Sequence, residues 1–337
     1  AFALLIVPGF GPSPAASEEA APPKEVMQAI AAAAPGTPAE VVVGAYINDI
    51  QELDFKANNY AVDLYVWFRW KDAGRDPSAT MEFMNRYASD DNVREALYDK
   101  PERMPDGSFY SILRYQGRFA TKFPLEAYPL DTQTLKVVME DTVSGAPEQI
   151  YVPDGPRPVT LDPVVTLPGF KVGTPSLKVI HNTYPTNFGD LSVSKAETYS
   201  RIVLTIPVTR RVVAMSLKTF VPIALIVVCA SLVFFVRPRY VEGRIGLGIT
   251  ALLTLVALQL TSGASLPAVD YLMMLDKIYL LAYLFIILAL ARVVATSWRA
   301  EDAEKEGDTW RMDRTLVVVL LAAYLAANGL VVWTTFA

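Results

Sequence analysis

The sequence predicts a chain in two parts, an all-β sandwich followed by an all-α bundle of four membrane-spanning helices. Three observations carry that reading. Of the 337 residues, 52% are apolar, more than a wholly soluble chain of ordinary composition carries. The excess is uneven, because residues 1–211 hold 26 acidic against 20 basic side chains, while residues 212–337 hold 9 against 10 and contain every long apolar run. The first part instead shows short runs of alternating bulk separated by Pro, Gly, Asp and Asn.

A bilayer span takes roughly 20 mainly apolar residues, and four segments reach that length: about 213–236, 245–265, 271–296 and 315–336. Asp276, Lys277 and Arg292 lie near the ends of the third, where charged groups reach an interface by snorkelling. The connection between the first two spans carries Arg237, Arg239 and Arg244, and the region of the third-to-fourth connection carries Arg292, Arg299, Lys305, Arg311 and Arg314. Lys277 stands alone between the second and third. Basic connections stay in the cytoplasm, so the first 211 residues and the C-terminus are expected outside. Trp298 and Trp310 are expected near the inner interface.

In the first part, strands are expected at 41–43, 60–70, 109–119, 135–139, 177–180 and 199–208, a spacing that suggests a sandwich. Two helices are expected to interrupt it. One spans 24–34 between Pro22-Pro23 and Pro35-Gly36, and the other lies within 78–98 after Asp76-Pro77. The organisation is then an N-terminal segment (1–39), an extracellular sandwich (40–211) and a membrane domain (212–337). Residues 3–7 are apolar and 9–17 rich in Pro, Gly and Ala, which resembles the tail of a secretory signal; an arm packed on the sandwich is the alternative.

Several function classes are disfavoured. The acidic first part offers no basic patch for nucleic acid. His181 is the sole histidine, which excludes a multi-histidine metal site, and no Gly-x-Ser-x-Gly elbow or phosphate-binding glycine loop appears. Cys229, the single cysteine, lies in an apolar run, so no intrachain disulfide can form. We therefore expect neither an enzyme nor a bound metal or cofactor.

Helical spacing within 242–264 is more informative. At 100° per residue, Glu242, Gly246, Thr250, Leu253, Ala257, Leu260, Thr261 and Ala264 share an arc of roughly 100°. An acid at the cytoplasmic end leads through small and hydroxylated residues to an apolar outer half. Gln259 points the opposite way, and Arg244 lies about 160° from Glu242. The alternative to a wet face is a helix packed by its small residues in a single-chain bundle.

The order of elements and several local patterns resemble the pentameric ligand-gated ion channel (Cys-loop receptor) family over residues 40–337. The most specific piece is Phe123-Pro124-Leu125-Glu126-Ala127-Tyr128-Pro129-Leu130-Asp131-Thr132-Gln133-Thr134-Leu135, which is similar to the family's signature loop. The two cysteines that close that loop in animal members are matched by Thr121 and Leu135, and this departure resembles the prokaryotic branch, as does the short connection of about 18 residues between the last two spans. Trp70-Lys71-Asp72, Arg210 twelve residues before Pro222, and Leu266-Pro267 also fit the pattern.

The resemblance implies an immunoglobulin-like extracellular sandwich and a homopentamer around a central pore, in a bacterial plasma membrane. It implies that the eight residues of the stripe line the pore, with Leu253 at a mid-helix gate and Glu242 at a cation-selective cytoplasmic mouth, since anion channels of the family tend to carry Pro-Ala where this chain has Glu242-Gly243. It further implies that Asp54, Lys56, Pro129, Asp131, Arg210 and Pro267 couple sandwich to membrane, with Asp54 and Asp131 grouped around Arg210. Tyr65, Tyr184, Phe188 and Tyr199 would wall an agonist pocket between subunits, although Thr142 stands where amine receptors carry a tryptophan. The expected partners are further copies of the chain, the lipid bilayer and permeant cations, and the agonist stays open among a small molecule, protons and a divalent cation. The rival readings are a non-conducting four-helix membrane receptor or binding protein, and a secondary transporter, for which no internal repeat speaks.

Overall fold

The computed structural model describes residues 37–189, 197–297 and 303–337, with side chains in the last segment from 306 onward. The expected signal remnant and the helix at 24–34 lie outside the described residues.

Twelve strands are found among the described residues: β1 (Ala39–Asp54), β2 (Asn59–Trp70), β3 (Met81–Phe83), β4 (Val93–Ala96), β5 (Glu102–Arg103), β6 (Phe109–Ala120), β7 (Thr132–Asp141), β8 (Gln149–Pro153), β9 (Val159–Leu161), β10 (Phe170–Val172), β11 (Ser176–Thr183) and β12 (Thr198–Arg210). They form two sheets. One runs β4-β6-β2-β1-β8, with β5 on β6 and β9 on β1; the other runs β10-β12-β7-β3, with β11 on β12. Period-2 alternation sends Val62, Leu64, Val66 and Phe68 of β2 inward to meet Leu135 and Val137 of β7 and Ile202, Leu204 and Ile206 of β12 in one buried cluster. Asp63 and Tyr65 therefore face away from that core.

The first strand is far longer than the expected 41–43. Its pairing with β2 shifts register between Ile47 and Asp49 and again between Ile50 and Glu52, and each irregularity breaks the alternation by which a strand is read from sequence. The helix expected within 78–98 shrinks to one turn, Pro77–Thr80, started by the Asp76 carboxylate accepting from the Ser78 N–H. Beyond it, Met81 and Phe83 turn inward on either side of exposed Glu82, so the chain leaves the helix for the edge of the second sheet.

Four long helices follow: α1 (Val212–Ser231, extended by a 3-10 turn at Leu232–Phe234), α2 (Val241–Gly263), α3 (Met274–Thr296) and α4 (Ala303–Phe336). All four are long and apolar enough to cross a membrane. Their boundaries differ from the sequence expectation for physical reasons. α2 starts four residues early, with Glu242 in its first turn, where a carboxylate complements the helix dipole. α3 starts three residues late, where Asp276 accepts from the Met273 N–H and caps the first turn. α4 starts twelve residues before the expected apolar span, because the charged stretch ahead of that span consists mostly of good helix formers. The connection preceding it is correspondingly shorter than 18 residues. At 1.5 Å per residue α4 is about 50 Å long, against about 30 Å of hydrocarbon, so its charged first turns lie beyond the apolar slab.

Candidate functional site: the junction, the α2 stripe and an aromatic cluster

The last residue of β12 is Arg210, and its position is fixed from several directions at once. Its Nε donates to Asp131 Oδ1 at 2.6 Å, and its backbone N–H reaches the Asp131 carbonyl at 3.3 Å. Three rings surround the guanidinium, with Phe55 at 4.5 Å, Phe170 at 4.7 Å and Tyr128 at 4.9 Å from its carbon. Both charged side chains are over nine-tenths buried, so the pair is desolvated and the ring faces supply the remaining cation stabilisation. The Gln133 amide donates to the second Asp131 oxygen and to the Pro124 carbonyl, which closes the 124–133 loop on itself.

Asp54 is a correction. Its carboxylate accepts from the Ala57 N–H at 2.9 Å and caps the β1–β2 turn instead of joining Arg210. That turn contains Asn58 at φ 53°, a left-handed conformation that asparagine tolerates well. Asp54 and exposed Lys56 still line a cleft of about 460 Å³ together with Phe55, Tyr128, Arg210 and Leu266. Tyr128-Pro129 is a cis peptide, and Pro267 follows Leu266 in the α2–α3 connection. A direct tie between sandwich and helices was absent from the sequence reading: the Leu125 N–H donates to the Tyr271 hydroxyl at 3.0 Å, and the Met274 N–H donates to the Glu126 carbonyl at 2.8 Å.

On α2 the buried residues are Arg244, Gly248, Ala251 and Leu255, spaced i, i+4, i+7, i+11 along one face. Gly248 meets the Leu290 side chain so closely that an added Cβ would lie 2.3 Å from it. Glu242, Gly246, Thr250, Leu253, Ala257, Leu260, Thr261 and Ala264 are all exposed on the roughly opposite side of this single chain. Gln259 accepts from the Tyr283 hydroxyl at 2.7 Å and so turns toward α3.

Arg244 is 1% exposed and donates to Asp313 at 2.5 Å and to the Val233 carbonyl at 2.9 Å. Asp313, at 0% exposure, also accepts from Arg292 at 2.9 Å. One carboxylate on α4 therefore holds guanidiniums from α2 and α3 beside the end of α1. The sequence reading turned Arg244 away from the stripe but named no partner for it.

The four candidate aromatics do not form one cluster. Tyr184 packs edge-on against Phe188 at 5.2 Å and Tyr199 at 5.8 Å, whereas Tyr65 lies on the other sheet beside Tyr46 and Arg114. Behind the three rings is an ionic layer that the sequence reading missed. Arg201 pairs with buried Glu140, whose other oxygen accepts from the Tyr184 hydroxyl at 2.8 Å. Burial and the Glu197 carboxylate, which accepts from Tyr199 at 2.6 Å, push the Tyr199 hydroxyl up to about 12. Burial moves His181 below its ordinary value.

Two stability predictions follow from the charged clusters. Arg210→Ala or Asp131→Ala strands the other charge, and unfolding of the detergent-solubilised protein is expected to lose about 3–5 kcal/mol, with the exchanged pair Arg210→Asp, Asp131→Arg recovering part of it. Single variants as stable as the parent would remove the pair from the junction. Asp313→Leu strands two guanidiniums and should be at least as damaging, while the apolar triple Arg244→Met, Arg292→Met, Asp313→Leu should recover most of the loss. Equal melting of Asp313→Leu and the parent would contradict the burial argument.

A family model described as the neurotransmitter-gated ion-channel transmembrane region matches residues 219–328. The chain is 23% identical over 280 residues to the gamma-aminobutyric acid receptor subunit rho-2 of Bos taurus, covering 77% of this chain and 58% of that one. It is 21% identical over 291 residues to subunit rho-3 of Homo sapiens, covering 80% and 60%. A third relative, the acetylcholine-gated chloride channel subunit acc-1 of Caenorhabditis elegans, is 21% identical over 320 residues, covering 83% and 66%. The chain thus spans about 58–66% of the length of these relatives. Together with a β-domain running into four membrane-length helices, these matches make the chain similar to subunits of the pentameric ligand-gated ion channel (Cys-loop receptor) family.

Proposed function

We propose that five copies of this chain surround a pore lined by α2, and that an extracellular ligand opens it to cations. The observation that carries this reading is the two-sided character of α2. Its buried side is consumed by the chain's own helices, while the eight-residue stripe from Glu242 to Ala264 has no cover within the chain. A ring of five Glu242 carboxylates at the cytoplasmic mouth would favour cations and repel anions. Arg244, the adjacent opposite charge, is withdrawn into the Asp313 cluster and does not neutralise that ring.

The signal would enter at the Tyr184, Phe188 and Tyr199 rings, with Tyr65 of a neighbouring copy across the subunit boundary. Ring faces suit a cationic nitrogen, and relatives named for gamma-aminobutyric acid and acetylcholine support an amine-bearing agonist. Ligand affinity that differs between closed and open states would then shift their balance, through the Arg210 junction and the Tyr271 and Met274 contacts. The missing loop cysteines favour a prokaryotic plasma membrane as the setting.

One relative carries chloride channel in its name, so the competing reading is an anion pore of the same architecture. The purified protein in mild detergent is expected to have the mass of five chains. In a salt gradient its reversal potential is expected to follow the cation, and Glu242→Ala should move it toward zero. A parent protein that follows chloride would overturn the cation assignment and leave the channel intact.

Leu253 would narrow the pore with an apolar ring, and such a ring can block ions by expelling water. Leu253→Ser is therefore expected to raise resting current or agonist sensitivity, multiplied by five identical copies. Well-assembled Leu253→Ser channels with parental resting current and activation would remove the gate from this position.

A further inference from the structure

The two sheets of the sandwich part at one edge, where β3 of one and β4 of the other border a cleft of about 310 Å³. Tyr115 of β6, Arg94 of β4 and Arg86 of the β3–β4 connection line it. Arg94 and Tyr115 stand directly opposite each other in the β4–β6 ladder, so their side chains share a face. That face is the inner one, because Tyr115 is 1% exposed and packs on Phe83 at 4.4 Å and on Phe119 at 5.1 Å. An isolated bridge to Phe119 brings Arg86 alongside β6 as well.

The polar groups of this cleft lack the partners that their chemistry calls for. The Tyr115 hydroxyl is shielded from solvent and meets no hydrogen-bond partner among the described residues, a rare and costly state for a buried O–H. Burial pushes it up to about 12, against the lowering field of Arg86, so it keeps a proton to donate. Arg94 spends one N–H on the Ser78 carbonyl at 2.6 Å. Although that residue is exposed overall, partial burial of its charged end moves it below its ordinary value. Among the described residues, the ion pairs of the sandwich engage Arg69, Arg75, Arg114, Arg118, Arg201 and Arg210, and neither Arg86 nor Arg94. Glu82 borders the mouth but points to the opposite face of β3 from Met81 and Phe83. Asp141, on the next strand, is engaged by Thr80, Gln149 and the N–H groups of Val143 and Ser144.

Two guanidiniums and a protonated hydroxyl offer donors without an acceptor, which is the complement of an oxyanion. Two unanswered positive charges match a dianion, and donors arriving from two strands and a connection suit tetrahedral oxygens better than the planar pair of a carboxylate. We propose that Arg86, Arg94 and Tyr115 bind a small tetrahedral dianion, sulfate or hydrogen phosphate, in the mouth between the two sheets. The site is built from the sandwich of one chain and is independent of the pore, so its test reads no current. Equilibrium uptake of radiolabelled sulfate by the detergent-solubilised protein, at an ionic strength fixed with sodium chloride, measures it directly. Saturable uptake is expected, displaced by phosphate and resistant to acetate at equal concentration. Arg94→Gln should weaken it roughly tenfold or more, and Tyr115→Phe, which keeps the ring, about fivefold. Because Tyr115→Phe deletes an unsatisfied group, it should melt no lower than the parent in sulfate-free buffer. Arg94→Lys keeps the charge without the fork and should fall between parent and Arg94→Gln, which keeps the test decisive if the glutamine variant does not fold. Arg103→Gln, on exposed β5, should bind as the parent does. Unsaturable uptake by the parent, parental uptake in both Arg94→Gln and Tyr115→Phe, early melting of Tyr115→Phe, or the same loss in Arg103→Gln would each overturn the site.

Discussion

Everything between the sandwich and the helices is arranged around one positive charge at the end of β12. Arg210 is the last strand residue and Arg211 precedes the first turn of α1, so the guanidinium is covalently next to the first membrane helix. Its charge is answered by Asp131 and by the faces of Phe55, Tyr128 and Phe170, which come from the β1–β2 turn, the 124–133 loop and β10. A buried cation cannot leave such a setting without large desolvation changes, so three segments distant in sequence share one anchor. Moving any of them disturbs the others, and α1 with them.

A second buried cluster mirrors this one at the far end of the bundle. Asp313 collects Arg244 and Arg292, and through them the helices α2, α3 and α4. The base of α2 is thereby held from outside, which matters because most of that helix is unsupported within its own chain. The clusters bracket the bundle, one where the sandwich meets it and one where its charged turns leave the hydrocarbon. Between them, interhelical packing relies on apolar contacts, on close approaches such as Gly248 against Leu290, and on two α2–α3 hydrogen bonds, Tyr283 to Gln259 and between Ser262 and Tyr279.

Much of this was legible wherever a period survives in the sequence. The α2 stripe was read from spacing alone, because residues recurring every three to four positions share a helix face whatever surrounds it. The Arg210–Asp131 pair came from family resemblance, since 79 residues separate the partners and no local pattern links them. Phe55 and Phe170 escaped for the same reason: only the topology brings a turn and a short strand to one guanidinium. β1 was cut short by its register shifts, and β8 to β10 are too brief for alternation to register. Asp313 stands between Arg311 and Arg314, and no local pattern marks it as buried. A clue was available, however, because an arginine turned away from the stripe at position 244 needs an acid inside the bundle, and Asp313 is the acid next in sequence to the expected start of the fourth span at 315.

The hydroxyls of α2 have a further consequence, concerning the polarity of the surface they present. Thr254 and Thr261 donate to the carbonyls of Thr250 and Ala257, four residues back, each at 2.8 Å. Each hydroxyl hydrogen is thus spent on the helix's own backbone, and what Thr261 turns outward is an oxygen with its lone pairs. If α2 lines a pore as proposed, a dehydrating cation would find there a substitute for a lost water oxygen, whereas an anion, which needs a hydrogen to bind, would find none at Thr261 until the threonine released its carbonyl.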